Sequence, residues 1–128
     1  MASGPSKPTA AELEILTVLW SIGPAKVRAV YDRINRRRPA QYSTVLKFMQ
    51  IMTEKGLVRR DETGRAHIYR PARPREWTQR QLAGELLEHA FSGSAKALLM
   101  GALSARKATP KELAEIRSLL DNYEKGKR

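Results

Sequence analysis

Residues 43–70 read STVLKFMQIMTEKGLVRRDETGRAHIYR, a helical pattern followed by two short β-compatible runs, and this stretch decides the fold. Four apolar side chains recur at helical spacing and form the predicted buried stripe: Val45, Leu46, Met49 and Met52. Such spacing places them on one face of an α-helix, so the opposite face is predicted to be exposed. The exposed face is polar and carries Thr44, Lys47 and Gln50. It is therefore a candidate surface for reading nucleic acid.

The boundaries of this helix and the hairpin after it also have sequence signals. Ser43 is predicted to be the N-cap, and Gly56 is predicted to end the helix. The β-compatible runs 57–60 and 65–69 flank a turn signal at 61–64. A helix followed by a hairpin indicates a winged helix, although a core helix packed on an arbitrary hairpin has the same periodicity. The charge distribution separates these two interpretations.

The chain of 128 residues carries a formal net charge of +11, with 24 Lys and Arg against 13 Asp and Glu. Residues 1–75 hold 15 basic and 6 acidic side chains, whereas residues 76–128 hold 9 and 7. An excess of this size predicts an anionic partner, most simply nucleic acid. The first part of the chain is therefore predicted to contact it.

Two more helices precede the central one. Thr9 and Glu12 have capping-box spacing, and the first helix is predicted to end at the Ser-Ile-Gly-Pro sequence of residues 21–24. Residues 25–35 repeat an amphipathic pattern and predict the second helix. Residues 36–39, RRRP, then form a basic connector, for which phosphate contact and a merely solvated charge run are the two interpretations. Residues 1–8 lack periodicity and predict a flexible tail.

Helix, turn, helix, basic connector, exposed polar helix and hairpin together predict a winged helix-turn-helix domain over residues 9–74. The segments AELEILTVLW, GPAKVRAVYDRI, YSTVLKFMQIMTEKGLVRR and GRAHIYRP, in this order across residues 10–71, resemble the BlaI/MecI penicillinase-repressor family. The resemblance implies a mainly α protein with three helices and a β-hairpin wing, followed by a C-terminal helical dimerisation region. It also implies a transcriptional repressor that binds a double-stranded DNA operator as a homodimer.

Residues 75–128 independently predict three short amphipathic helices, separated by Ser-Gly-Ser at 92–94 and by a Thr-Pro capping signal at 109–110. Three such helices bury their apolar faces poorly alone, so a partner chain is expected. The predicted dimerisation residues are the apolar members of the last two helices: Leu98, Leu99, Leu103, Leu113, Ile116, Leu119, Leu120 and Tyr123.

The resemblance further implies that repression ends when a membrane sensor peptidase triggers a cut in the dimerisation region. The matching bond is Gly101-Ala102, where relatives carry an Asn-Phe pair. Loss of the dimer would then release the operator, because unlinking two binding modules lowers their effective concentration.

Donors and acceptors that distinguish base edges in the major groove are supplied by hydroxyl, amide and ammonium groups. The predicted base contacts are Ser43, Thr44, Lys47 and Gln50. Lys47 stands where such repressors commonly carry Thr, so the resemblance does not extend to the operator sequence. The predicted phosphate and wing contacts are Arg37, Arg38, Gln41, Tyr42, Lys55, Arg60, Arg65 and His67.

Other function classes find little support in the sequence. Cysteine is absent, and His67 and His89 lack companions at metal-ligand spacing, so neither a metal site nor a cofactor is expected. Ser43 has no base placed to activate it, which argues against an enzyme. Without an apolar leader or spanning segment, the protein is expected to be soluble and cytoplasmic. A basic architectural or RNA-binding module remains the alternative, since fold does not fix function.

Overall fold

The computed structural model describes residues 7–126, which form six helices and one two-stranded antiparallel sheet. The elements follow one another as α1 (Ala10–Ile22), α2 (Val27–Arg37), α3 (Tyr42–Glu54), β1 (Val58–Asp61), β2 (Ile68–Pro71), α4 (Arg75–His89), α5 (Ala95–Ala105) and α6 (Pro110–Gly126). This order confirms the mainly α fold with a hairpin wing and C-terminal helices. The predicted flexible tail falls largely on residues 1–6, which lie outside the described residues.

The predicted start of α1 is confirmed. The Thr9 hydroxyl accepts from the Glu12 backbone N–H at 3.2 Å, and Glu12 Oε1 accepts from the Thr9 N–H at 2.9 Å, which completes a capping box. The helix ends at Gly23, whose φ of +88° lies in the left-handed region that glycine adopts without strain.

The start of the second helix was predicted wrongly. Residues Ala25 and Lys26 are not helical, because Ala25 pairs with Tyr69 as an isolated antiparallel bridge, with both N–H···O distances below 3.0 Å. Helix α2 therefore begins at Val27. At its other end, Arg36 and Arg37 belong to the last turn of α2 and not to a connector, so the predicted basic connector shrinks to residues 38–41.

The predicted cap of α3 is also wrong. The N-cap is Gln41, without a side-chain cap bond, and Ser43 is the second residue of the helix. The turn before it is closed by Asn35, whose Oδ1 accepts from the Ala40 N–H at 3.0 Å. The Tyr42 ring then packs edge-on against Tyr31 of α2, with centroids 5.7 Å apart. These contacts with α2 set the start of α3, and no local capping residue is needed.

The wing is displaced along the sequence from its predicted position. Val58 pairs with Pro71 and Asp61 with Ile68, so the strands begin one residue and three residues later than the β-compatible runs. The loop between them covers residues 62–67 and is longer than the predicted four-residue turn. Asp61 holds the start of the loop by accepting from the N–H and the hydroxyl of Thr63, and these bonds lower the pKa of its carboxyl.

The hydrophobic core is built from α1, α2, α3 and the wing. The predicted stripe of α3 is confirmed, since Val45, Met49 and Met52 are buried, and Tyr69 is the largest fully buried side chain. The chain divides into two compact units between Leu82 and Ala83. In the second unit, α5 and α6 bury none of their described side chains. Within residues 7–126, no helix is both long enough and apolar enough to cross a bilayer.

Candidate nucleic-acid interface

The outer face of α3 presents the four side chains predicted to contact bases. Ser43, Thr44, Lys47 and Gln50 are all exposed, on the side opposite to the buried stripe. Within residues 7–126, none of these four side chains is engaged in a hydrogen bond or an ion pair. Polar groups that are left free on a rigid, core-packed helix are available to a ligand without breaking contacts inside the protein.

The α2–α3 corner carries a cationic and aromatic cluster that the sequence did not single out. The Arg28 guanidinium lies 5.6 Å from the Tyr31 ring centroid and 6.0 Å from that of Tyr42. Its side chain is 69% exposed and lies 3.5 Å from Asp32. Cation–π contact restricts the guanidinium while leaving its donors open to water. The signal was present in the sequence as the Arg28–Tyr31 spacing of three residues, but the contribution of Tyr42 depends on the tertiary fold.

The predicted phosphate contacts fall into two groups. The members that are exposed and not paired with a carboxylate are Arg37, Gln41, Tyr42, Arg65 and His67, of which the last two lie in the wing loop. Each of the other three is already paired with a carboxylate: Arg38 with Glu14 at 2.5 Å, Lys55 with Glu12 at 2.7 Å, and Arg60 with Glu62 at 2.6 Å. An anion must compete with these carboxylates, so the members of the first group are the better candidates for phosphate contact.

Two of the paired cations have a further structural role. Lys55 bonds to Glu12, which is almost completely buried, so this pair joins the C-terminus of α3 to the first turn of α1. Hydrogen bonds to Tyr69 and Glu62 raise the pKa of Arg60 above its usual value and hold its guanidinium along the wing. Lys55 therefore links two helices of the domain, whereas Arg60 is held in place on the wing surface.

The register of the wing brings together two further basic residues that the sequence alone did not identify as neighbours. Arg59 and Arg70 are directly opposite each other in the two strands, and both are exposed. Like charges directly opposite each other destabilise a hairpin, and the attraction between Arg70 and the Asp61 carboxylate offsets part of this repulsion. The pair could be found only once the register was known, because the predicted strands were displaced. It adds two cations to the wing beside Arg65.

Other kinds of site find no support in the described part of the chain. Residues 7–126 contain no group of three or more His, Cys, Asp or Glu side chains that could share a metal ion.

Of the predicted dimerisation residues, Leu98, Leu113 and Ile116 are half-buried, whereas Leu119 and Tyr123 are each 66% exposed. Gly101 of the predicted cleavage bond is half-buried in α5, and Ala102 is exposed.

Comparison with known proteins identifies a matching family and several similar proteins. A family model described as "Penicillinase repressor" matches residues 8–122. The transcriptional regulator BlaI of Mycobacterium tuberculosis, in two strains, is 34% identical over 91 residues, which cover 70% of this chain and 66% of the regulator. An uncharacterised 16.5 kDa protein from the ptsI 3′ region of Latilactobacillus sakei is 26% identical over 103 residues, covering 80% of this chain and 70% of that protein. The match thus spans just under two thirds of the BlaI regulators.

Proposed function

This chain belongs to the penicillinase repressor family of transcriptional regulators, and we propose that it represses transcription by binding an inverted-repeat operator as a homodimer. The observation that carries the proposal is the outer face of α3, where four exposed polar side chains have no partner within the described protein. The helix has 13 residues, about 20 Å at 1.5 Å per residue, and fits lengthwise into a major groove.

Base and phosphate contacts are assigned to different parts of the domain. Thr44 and Lys47 are proposed to bond to base edges, together with Ser43 and Gln50 at the two ends of the row. Arg37 and Tyr42 are proposed to fix the domain on the backbone, with Arg65 and His67 contacting it from the wing loop. Arg28 joins this set because its exposed guanidinium lies over the Tyr42 ring at the start of α3, and its ion pair with Asp32, at 3.5 Å, is longer and more exposed than those of the three paired cations. The winged-helix region, residues 9–74, thus carries all of the proposed DNA contacts.

The dimer is proposed to form through residues 75–128. Support comes from the apolar side chains that α6 leaves in solvent, since Leu119, Leu120 and Tyr123 are all more than half exposed. Apolar surface of this kind is stabilised when it is covered, and a second copy covers it symmetrically. A two-fold dimer places its two recognition helices on half-sites about 10 base pairs apart, or a multiple of that.

Relief of repression is proposed to follow cleavage at Gly101-Ala102, triggered by a membrane sensor peptidase. Glycine inside a helix costs about 1 kcal/mol relative to alanine, which favours local opening of α5 at this bond. A cut there removes α6 from the DNA-binding region and leaves every proposed DNA contact intact. Mass spectrometry of the protein from induced cells tests this step, because the expected fragment ends at Gly101, whereas intact protein that has left its operator contradicts it.

A protection footprint on the DNA upstream of the chain's own gene tests the main proposal. Protection of a discrete dyad is expected, and uniform coating of the fragment would instead identify an architectural protein. Sedimentation of the same preparation, with and without the protected fragment, measures the stoichiometry. A monomer at micromolar concentration in both states contradicts the dimer.

A further inference from the structure

One apolar side chain lies in the row of predicted base contacts. Ser43, Lys47 and Ile51 follow one another at intervals of four residues, so they form a single ridge along α3. Together with Thr44 and Phe48, these three line an open depression of about 400 Å³ on the helix surface. Ile51 therefore lies one turn beyond Lys47 on this ridge and makes the far end of the ridge apolar.

The core does not account for the position of Ile51. The buried stripe of α3 runs through Val45, Met49 and Met52, and the half-buried Phe48 packs against that core. Among residues 7–126, Ile51 is half-buried yet is not one of the side chains that pack against the core. Single exposed apolar residues are common on protein surfaces, so exposure by itself carries no inference. Its location beside Thr44 and Lys47, on the face assigned to DNA, does carry one.

We propose that Ile51, with the Phe48 ring beside it, contacts the 5-methyl group of a thymine in each half-site. This inference rests on the proposed function, since it requires α3 to lie in a major groove. Thymine differs from the other bases there by its methyl group, and apolar side chains contact that methyl favourably. DNA also suits this depression electrostatically, because the cationic side chain of Lys47 lines it and the chain carries a net charge of +11.

The row also predicts where the thymine lies. Four residues of α-helix advance about 6 Å along the axis, and successive base pairs are about 3.4 Å apart. The contacted thymine is therefore expected about two base-pair steps from the base that Lys47 contacts. Ile51 is a specificity-determining residue in this proposal, because its apolar side chain packs favourably against a methyl group and cannot form a hydrogen bond with a polar base edge.

The experiment begins with selection of bound sequences from a random duplex library, using the full chain. Every thymine of the best-bound duplex is then replaced singly by deoxyuridine, which removes the methyl group and leaves base pairing unchanged. With the unaltered protein, one replacement in each half-site is expected to weaken binding about fourfold. That factor corresponds to about 0.8 kcal/mol, the value for burying one methylene-sized group.

Variants connect this effect to the protein. Ile51→Ala is expected to bind the thymine and deoxyuridine duplexes equally at that position, whereas Ile51→Val keeps most of the difference. Gln50→Ala is the matched control on the same helix, and it is expected to retain the full methyl dependence even if its overall affinity falls. Circular dichroism and thermal unfolding of each variant check that the protein keeps its overall helix content and stability, and the measurement with the unaltered protein needs no variant at all.

The outcomes separate the two proposals. A library that yields no enriched sequence overturns the proposed function, and the methyl contact with it. An enriched sequence in which no thymine is sensitive to loss of its methyl group overturns only the methyl contact. The same holds if a fourfold difference persists in Ile51→Ala, because another group then makes the contact.

Discussion

The buried ion pair between α1 and α3 should make a measurable contribution to stability, and Lys55→Met tests it. The Glu12 side chain is 3% exposed and that of Lys55 is 27% exposed, with the charged atoms 2.7 Å apart. Methionine keeps most of the apolar stem but leaves the Glu12 carboxylate with hydrogen bonds from Thr9 alone. Breaking a fully buried pair costs about 3–5 kcal/mol, and the partial exposure of Lys55 lowers the expected loss of unfolding free energy to about 2 kcal/mol.

The pH dependence provides a second, independent test. Burial of the Glu12 carboxyl acts to raise its pKa, but the hydrogen bonds from Lys55 and Thr9 outweigh burial, so the pKa lies below its usual 4.5. A carboxyl with a lowered pKa stabilises the fold fully above its unfolded pKa, and loses that contribution as the pH falls through the folded value. The difference between the unaltered protein and Lys55→Met should thus be full at pH 7 and shrink below about pH 4.5.

Chemical denaturation at pH 7 and pH 3.5 measures both quantities. Lys107→Met removes one charge from an exposed lysine and serves as the control, with an expected effect below about 0.5 kcal/mol. A Lys55→Met loss that is equal at the two pH values would refute the reasoning, because the carboxylate would then not be the group that Lys55 stabilises.

Three further predictions concern DNA binding and assembly. Lys47→Ala is expected to weaken binding to the selected operator by about 1–3 kcal/mol and to relax the sequence preference of the protein. Arg65→Ala should weaken binding to all duplexes alike and reduce the slope of affinity against salt concentration by about one. Titrations at several salt concentrations separate the two effects. Leu119→Asp is expected to abolish both the dimer and specific binding, and sedimentation showing an intact dimer would contradict the assigned interface. Arg59→Thr should raise the melting temperature at low salt, because it relieves repulsion with Arg70 and keeps the attraction between Arg70 and Asp61, while it weakens binding to any duplex; a variant less stable than the parent would contradict this.

The parts of the fold that could be predicted from the sequence are those whose cause is local. The capping box of Thr9 and Glu12 and the buried stripe of α3 each depend on residues within a few positions of one another, and both are confirmed. The start of α2 could not be predicted in this way, because Ala25 is taken out of the helix by Tyr69, a residue 44 positions away. A backbone pairing with a distant strand leaves no periodicity in the sequence around it.

The same distinction between local and distant causes applies to the residues of the candidate site. The exposure of Thr44 and Lys47 follows from helical periodicity, so these residues could be chosen from the sequence alone. Whether a basic residue is free or paired could not, since Arg38 reaches Glu14 across 24 positions and Lys55 reaches Glu12 across 43. The composition shows the excess of positive charge, but only the contacts show which of these cations are not already paired with a carboxylate.

In helices α5 and α6, the position at which each helix begins has a local cause, whereas the stability of each helix depends on tertiary contacts. Ser94 and Thr109 cap their helices by accepting from the backbone N–H groups of Ala97 and Glu112, so local signals suffice to begin both helices. Helices of this length are marginal in water without an apolar face to bury, and each leaves all of its described side chains at least partly exposed. If a second copy covers these faces, formation of the dimer and ordering of the two helices become one equilibrium. A change that removes the contacts with the second copy, such as the proposed cut between Gly101 and Ala102, is then expected to weaken operator binding without altering any residue proposed to contact DNA.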